Sequence, residues 1–294
     1  KVVIEEFNQR YLNQPYGDIW LESRKLSYKV HPYRWPTIGS TPEHVEKTTL
    51  EEIKAFYFSH YAPNNAVLSL VGPVDPQACL KKVEHWFGLI PMRNLDKHPY
   101  PKEPPQNAPR FLALERDVPL DALWMGWHMP ERTHPDYHAL DLFTDLCSAG
   151  DSGWFNRDLV RKDQVFTAGG FYVSGSHDPG QMVFSGTVRP EQSLAEAEEK
   201  LKAWLKAILA KPIPASEVEK ALCRLQTREA FEQSSVQQRA LKLAWFEWIS
   251  RAEDAFTEIE RYRNIGAEKL QETVMRYLVD TNCSIIHYKA KKKS

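Results

Sequence analysis

Two stretches of this chain, 217 residues apart, carry the same pattern of a helix, an asparagine-containing turn and an apolar strand. Residues 50–53 align with residues 267–270, and Asn65 aligns with Asn282. A repeat at one fixed spacing is typical of a duplicated domain, but identity between the two copies is low. The pattern therefore predicts either a true internal duplication or two ordinary helix–strand units.

A proline-rich stretch separates the two copies. Residues 96–109 contain five prolines and almost no apolar side chains. Such a composition favours an extended, semi-rigid connection. We therefore predict a division into residues 1–95, a linker over residues 96–109 and a second domain over residues 110–294.

The second domain carries alternating strand and helix signals. Asp178-Pro179-Gly180 is a turn signal between two strand-like runs and predicts a hairpin. The predicted strands are 111–114, 123–129, 165–174, 181–188 and 283–288, and the predicted helices are 136–149, 191–209, a tract over 217–251, and 267–278.

The first part contains one strong helix signal. Thr49 followed by Glu52 forms a capping box and predicts a helix through Tyr61, with Ile53, Phe56, Tyr57 and Tyr61 on its buried side. A strand over 66–71 and a helix over 77–87 are predicted to follow.

Composition excludes several classes of protein. The hydrophobic content of 42% in 294 residues is enough for folded cores, and the net charge of −1 argues against a nucleic-acid-binding protein that depends on bulk electrostatics. No apolar run approaches the roughly 18 residues of a transmembrane helix.

The four cysteines are scattered without a C-x-x-C pair and are predicted to be small buried residues. His134 and His138 are four apart, but Pro135 disfavours helical backbone at His134, so we predict structural roles rather than a metal pair.

The first residues place a carboxylate beside an apolar stripe. Val2, Ile4 and Phe7 are apolar, and Ile4 and Phe7 share one face of a helix, with Glu6 at the edge of that face. A carboxylate aimed at a core needs a cation, a set of hydrogen-bond donors or a metal ion. The plain alternative is an amphipathic helix with a glutamate at the margin of its stripe.

The same run resembles a known family. Val-Val-Ile-Glu-Glu-Phe-Asn-Gln at residues 2–9, residues 13–17, and His-Pro-Tyr-Arg-Trp-Pro-Thr-Ile-Gly at residues 31–39 resemble the pitrilysin/insulysin zinc peptidases, in their bacterial processing-peptidase-like branch. The signature of these inverzincins is H-x-x-E-H, which does not occur between Lys1 and Ser294. The resemblance implies that Glu6 is the third zinc ligand and that the fold is α+β, with two similar sheet-plus-helix domains, the first truncated at its N-terminal side.

The resemblance also implies a function. It is that of a zinc-dependent metallopeptidase subunit that hydrolyses peptides in a closed chamber. Because this chain lacks two zinc ligands and the general base, it is expected to hold no catalytic residue, to bind no zinc and to be inactive alone, with Glu6 turned into a cavity. The alternative is a non-catalytic homologue that acts as a partner or scaffold subunit. The expected partners are a peptide substrate and a paralogous subunit in a homo- or hetero-oligomer, and the expected compartment is the bacterial periplasm or cytoplasm.

A second family motif is altered. Relatives often carry an Arg and a Tyr that bind the substrate carbonyl, and the matching positions here are Val160 and Thr167. Arg161 and Lys162 are one and two places out of register, and no residue replaces the Tyr. The resemblance therefore implies either that a paralogous subunit supplies this pair or that the chain is an inactive homologue.

Overall fold

The computed structural model describes residues 1–95, 100–174 and 177–291. The chain divides into two compact units, of which the first comprises Lys1–Pro42, Pro101–Cys223 and Glu260–Ser294, and the second comprises Glu43–Tyr100 and Arg224–Ile259. The helices are α1 (Val2–Phe7), α2 (Ile19–Ser27), α3 (Pro42–Lys47), α4 (Leu50–His60), α5 (Pro76–Phe87), α6 (Tyr137–Ser148), α7 (Leu194–Leu209), α8 (Ala215–Ser234), α9 (Val236–Ile249), α10 (Asp254–Arg263) and α11 (Ala267–Tyr277). The strands are β1 (Arg110–Arg116), β2 (Ala122–His128), β3 (Phe166–Ser174), β4 (Gln181–Val188) and β5 (Cys283–Ala290).

The first unit is built on one mixed sheet. Its strand order is β1-β5-β2-β4-β3, in which β1 and β5 are parallel and the other pairs are antiparallel. The first six residues of β2 are all buried, as the unbroken apolar run Ala-Leu-Trp-Met-Gly-Trp requires of a strand covered on both faces. The prediction of an α+β fold is confirmed, and all five predicted strands of the second domain are present.

Helices cover both faces of this sheet. Ile19 of α2 belongs to a buried cluster with Trp124, Val183 and Ile286. Successive side chains of a strand point to opposite faces, so Phe184 lies on the face opposite Val183. There the ring of Phe184 lies 5.0 Å from the ring of Phe171, which in turn lies 6.4 Å from the ring of Phe143 on α6. Helix α7 also contacts the sheet, at β2. The sheet is therefore the middle layer of a three-layer unit.

Burial in the second unit departs from the prediction. The Thr49–Glu52 capping box is formed, and it begins α4 as predicted. Ile53, Phe56 and Tyr57, predicted to be buried, are 53%, 57% and 50% exposed. Residues 66–71, predicted to be a strand, pair with no strand among the described residues. A capping box determines where a helix begins, but burial depends on a surface that packs against the helix.

Other predictions need smaller corrections. Cys147 and Cys283 are buried as predicted, but Cys79 is half-buried and Cys223 is exposed. The predicted helical tract over 217–251 consists of α8 and α9, and α10 was not predicted. No helix of the described residues is long and apolar enough to cross a membrane.

The predicted division into 1–95, 96–109 and 110–294 remains a prediction. Residues 96–99 lie outside the described residues. Residues 101–109 belong to the first unit, where the side-chain amide of Gln106 is buried and donates to the carbonyl of Cys283 at 2.7 Å. Ser284 in turn donates its hydroxyl to Gln106 Oε1 at 3.2 Å.

Candidate functional site

Helix α1 places the candidate zinc ligand at a partly open position. The Glu6 carboxylate accepts from Arg10, one helical turn later, at 2.7 Å, and the Glu6 side chain is 46% exposed. The apolar stripe beside it is narrower than predicted, since Phe7 is buried against Tyr11 while Val2 is 82% exposed. The carboxylate of Glu6 is therefore neither enclosed nor fully in water, and its role as a metal ligand remains a prediction.

A cavity of about 410 Å³ lies close to the π-helical turn that follows α1. Its walls include Tyr11, Asn13 and Asp18, but Glu6 does not line it. Two acidic residues, Asp18 and Asp117, also line the cavity, and Asp18 already accepts from Arg116 Nε at 2.7 Å and from the hydroxyl of Tyr288. Glu6 therefore does not contribute to this cavity, and the expectation that its carboxylate turns into a cavity stays a prediction.

The described residues do not by themselves fit a zinc site. A catalytic zinc takes three protein ligands and a water molecule. Across residues 1–95, 100–174 and 177–291, no three His, Cys, Asp or Glu side chains are grouped so that they could hold a metal ion. We therefore derive no reaction step through zinc from these residues.

The two altered family positions lie near the outer edge of the sheet. Val160 is half-buried in the π-helical turn Asn156–Lys162, and Thr167 is exposed on β3. The hydroxyl of Thr167 shares a hydrogen bond of 2.5 Å with the hydroxyl of Thr187 on β4. Neither side chain presents a cation or a phenol to a substrate.

The nearby cations do not replace the missing arginine. Arg161 forms an ion pair of 2.7 Å with Asp151 at an exposed position, and Lys162 is exposed. An exposed ion pair contributes little free energy, so it fixes the position of the Arg161 side chain only weakly.

Strand β3 forms one edge of the sheet. It pairs with β4 on one side, with a bulge between Phe166 and Ala168, and Thr167 to Gly169 are exposed. Gly169 has φ +157°, and a Cβ there would lie 2.7 Å from the Cα of Gly186 on β4. An edge strand with unpaired backbone groups can accept an extended peptide as a further strand.

The family-like loop at residues 31–39 is fastened by a residue that the sequence analysis missed. The Glu103 carboxylate accepts three backbone N–H groups, from Lys29 at 2.8 Å, Val30 at 2.9 Å and His31 at 3.0 Å. Partial burial raises the pKa of Glu103, but these three donors outweigh it and hold the pKa below its usual value. Glu103 is therefore an ionised anchor for the start of this loop.

Aromatic and histidine side chains complete the anchor. His128 Nε2 lies 3.1 Å from the carbonyl oxygen of Ser27, and the ring of Tyr28 stands edge-on to His128 at 5.1 Å. Burial lowers the pKa of His128 and raises that of Tyr28. Both side chains therefore pack against the residues that precede the loop.

His134 and His138 take separate partners. His134 Nδ1 accepts the backbone N–H of Asp136 at 3.1 Å in the turn before α6, while His138 is buried edge-on against Tyr262 at 4.7 Å. Burial, with the charges of Arg132 and Arg261, lowers the pKa of His138 to about 4. These contacts agree with structural roles for the two histidines.

Solved structures share the fold of this chain. A protease from Helicobacter pylori superposes with a TM-score of 0.89 at 24% identity, over 98% of this chain and 70% of that one. A peptidase M16 inactive domain from Pseudomonas fluorescens gives a TM-score of 0.84 at 17% identity, over 99% of this chain and 68% of that one. At these identities the likeness shows the fold alone, which is α+β with a five-stranded mixed sheet.

The sequence comparison is more specific. Residues 47–225 match the family described as the peptidase M16 inactive domain, and this chain belongs to that family. It is 28% identical over 225 residues to the zinc protease PqqE of Helicobacter pylori, covering 75% of this chain and 50% of that protein. An uncharacterized zinc protease of Bacillus subtilis, YmfH, is 30% identical over 103 residues, or 35% of this chain and 22% of that protein. The chain thus spans half or less of the length of these curated relatives.

Proposed function

We propose that this chain is part of a zinc-dependent metallopeptidase subunit that hydrolyses peptides in a closed chamber. The observation that carries the proposal is membership of the peptidase M16 inactive-domain family, with relatives named as zinc proteases. In this proposal Glu6 supplies one zinc ligand. The other two ligands and the general base belong to an H-x-x-E-H segment outside residues 1–294.

The surroundings of Glu6 are compatible with this role. Its bond to Arg10 joins two side chains that are 46% and 65% exposed. Exposed ion pairs contribute typically less than about 1 kcal/mol, so a divalent cation can displace the guanidinium at little cost. Glu5 is adjacent to Glu6 and exposed, so it offers a matched control of the same chemistry.

The experiment compares Glu6→Gln with Glu5→Gln in the full-length parent protein. Loss of a direct zinc ligand should weaken metal binding by more than about 100-fold, since even indirect partners of ligands cost 10–100-fold. We expect Glu6→Gln to lose zinc and peptidase activity together, while Glu5→Gln keeps both. Metal analysis that finds full zinc occupancy in Glu6→Gln would remove Glu6 from the site.

The chain of 294 residues provides a second test. It is expected to bind no stoichiometric zinc and to cleave no peptide, because it has one of the three ligands that a catalytic zinc requires. About one zinc per chain, with peptidase activity that a chelator abolishes, would contradict the assignment.

A second candidate function is a non-catalytic partner or scaffold subunit. Val160 and Thr167 favour it, since neither side chain can polarise a substrate carbonyl and Thr167 is already bonded to Thr187. In that case the parent protein would be inactive alone, both glutamate variants would behave like the wild type, and a paralogous subunit would gain activity when the parent protein is added.

A further inference from the structure

A cavity of about 590 Å³ lies in the first unit, between α7 and the end of α11. This volume is within the roughly 300–1,000 Å³ that is usual for small-molecule sites. Neither Glu6 nor the altered family positions Val160 and Thr167 line it. The cavity is therefore separate from the site that the proposed function uses.

The cavity follows a groove between two antiparallel helices. The side-chain amide of Gln271 on α11 donates to the carbonyl of Leu209, the last residue of α7, at 2.6 Å. At the other end of the groove Asp280, which follows α11, lies 3.7 Å from the amine of Lys202 on α7. Both Lys202 and Ala210 line the cavity, and at a rise of 1.5 Å per residue they are about 12 Å apart along α7. The groove is therefore long enough for an extended chain.

The floor of the groove is apolar. Trp127 of β2 is 3% exposed, and because side chains alternate along a strand it points to the face opposite Trp124, towards α7. The other large apolar side chains of the lining are Leu205, Leu209, Met275, Leu278 and Val279. Met275 and Val279 are 52% and 39% exposed, so a ligand with an apolar tail would remove apolar surface from water.

Two lysines and one aspartate also line the cavity, and they are not equivalent. The amine of Lys202 is 2.8 Å from the carboxylate of Glu198 and 3.7 Å from that of Asp280. Burial lowers the pKa of Lys202, but these two carboxylates outweigh it and hold the pKa above its usual value. The charge of Lys202 is therefore already compensated.

Lys206 carries the charge that is left over. It lies one helical turn after Lys202, in the last turn of α7, and its side chain is exposed. Over the described ranges 1–95, 100–174 and 177–291, no carboxylate pairs with it. The groove thus combines a long apolar floor with one uncompensated positive charge.

We propose that this cavity binds a single-chain aliphatic carboxylate, with its tail along Trp127 and Leu209 and its carboxylate paired with Lys206. A flexible tail suits a groove lined by leucine, methionine and valine, and one monoanion matches one free ammonium group. A phosphate ligand would call for arginine forks or a cluster of backbone N–H groups, neither of which lines this cavity. The inference goes beyond the proposed function and stands whether or not the protein is a peptidase.

A series of straight-chain carboxylates tests the tail. Binding of hexanoate, octanoate and decanoate to the full-length parent protein is measured by calorimetry. Burial of each further CH₂ group should tighten binding by about fourfold. Affinity that does not increase with chain length would overturn the proposal, because the apolar floor would then not be the binding surface.

The head group is tested with decyltrimethylammonium, which has the same tail and the opposite charge. The parent protein should prefer decanoate by at least about fivefold, the upper range for a partly exposed ion pair. Lys206→Gln should abolish this preference. Lys200→Gln is the control, because Lys200 is exposed on the same helix but donates to Gln192 and does not line the cavity. Equal preference in both variants would remove Lys206 from the site.

A matched pair of filling variants tests the location. Ala203 is exposed on α7 and lines the cavity, whereas Ala195 is exposed in the first turn of α7 and does not. Both positions accept a larger side chain without removing a buried contact. Ala203→Trp should occupy the groove and weaken decanoate binding by at least about tenfold, whereas Ala195→Trp should bind like the wild type. If Ala203→Trp keeps its wild-type affinity for decanoate, the carboxylate binds elsewhere and the proposal is wrong.

Discussion

Replacing Glu103 with alanine should loosen the start of the loop over residues 31–39. The change removes three charge-assisted hydrogen bonds to backbone N–H groups, each of a kind worth about 1.5–3 kcal/mol. Lys29 and Val30 are exposed, so their N–H groups can bond to water instead, whereas His31 is only 6% exposed. Only one of the three bonds is therefore lost without compensation, and we expect a local cost of about 2 kcal/mol.

Amide exchange of residues 29–31 is the suitable assay, because it reports local opening and needs no two-state unfolding of a chain with two units. A cost of about 2 kcal/mol corresponds to about 30-fold faster exchange at His31. Glu103→Gln keeps one carbonyl acceptor and should lie between the wild type and Glu103→Ala. Glu115→Ala, which removes an exposed carboxylate on β1, is the control and should change nothing at residues 29–31.

The effect should depend on pH in a defined direction. The pKa of Glu103 is lowered in the folded chain from an ordinary value of 4.5. A lowered pKa contributes stability that is present above pH 4.5 and is lost as the pH falls through the folded-state value. The difference in amide exchange rate at His31 between the wild type and Glu103→Ala should therefore be largest at neutral pH and decrease below pH 4.5. Equal exchange in both proteins at pH 7 would refute the reasoning, because the carboxylate would then not hold the loop.

Three further predictions concern the sheet and the altered family positions. Gly169→Ala places a Cβ 2.7 Å from the backbone of β4 and should lower the free energy of unfolding by more than about 2 kcal/mol. The control is Gly266→Ala, whose Cβ meets nothing within 4 Å and which should cost less than about 1 kcal/mol. Urea unfolding measures the free energy of unfolding of both variants. The pKa of His138 is lowered to about 4 in the folded chain, so His138 takes up its proton mainly on unfolding. The free energy of unfolding of the wild type should therefore fall as the pH drops from about 6.5 towards 4. His138→Leu should reduce this pH dependence, which unfolding curves of both proteins at several pH values measure. In the full-length parent protein without a partner, Val160→Arg combined with Thr167→Tyr should raise turnover by about 10²–10³-fold, and unchanged turnover would show that these positions do not limit the reaction.

The sheet could be predicted from the sequence because its signals are local. The strands over residues 123–129 and 181–188 are apolar runs bounded by turn residues, and the structure forms them within one or two residues. The buried side of α4 could not be predicted in the same way. An apolar stripe shows which side of a helix prefers to be buried, but it does not show whether the described residues include a surface to cover it.

The anchor at Glu103 was missed for a different reason. Glu103 lies in a proline-rich stretch whose composition is typical of a linker, and its three partners are 72 to 74 residues earlier in the chain. Gln106 is similar, since its partner Cys283 is 177 residues away. The composition of a segment indicates its local backbone structure. It does not indicate which residues, distant in the sequence, lie beside it in the folded chain and form hydrogen bonds with it.

The repeat also gives a physical reason for a family description as an inactive domain. Extending the 217-residue shift to α1 places Glu6 opposite Cys223 of α8, which is exposed and is not a carboxylate. The histidine of α6, His138, is buried against Tyr262, and its pKa is lowered to about 4. At these positions the second copy thus has an exposed cysteine and a buried histidine, and among the described residues β3 forms one edge of the sheet. The proposed function accordingly takes its zinc ligands from Glu6 and from the segment outside residues 1–294, and none from the second copy.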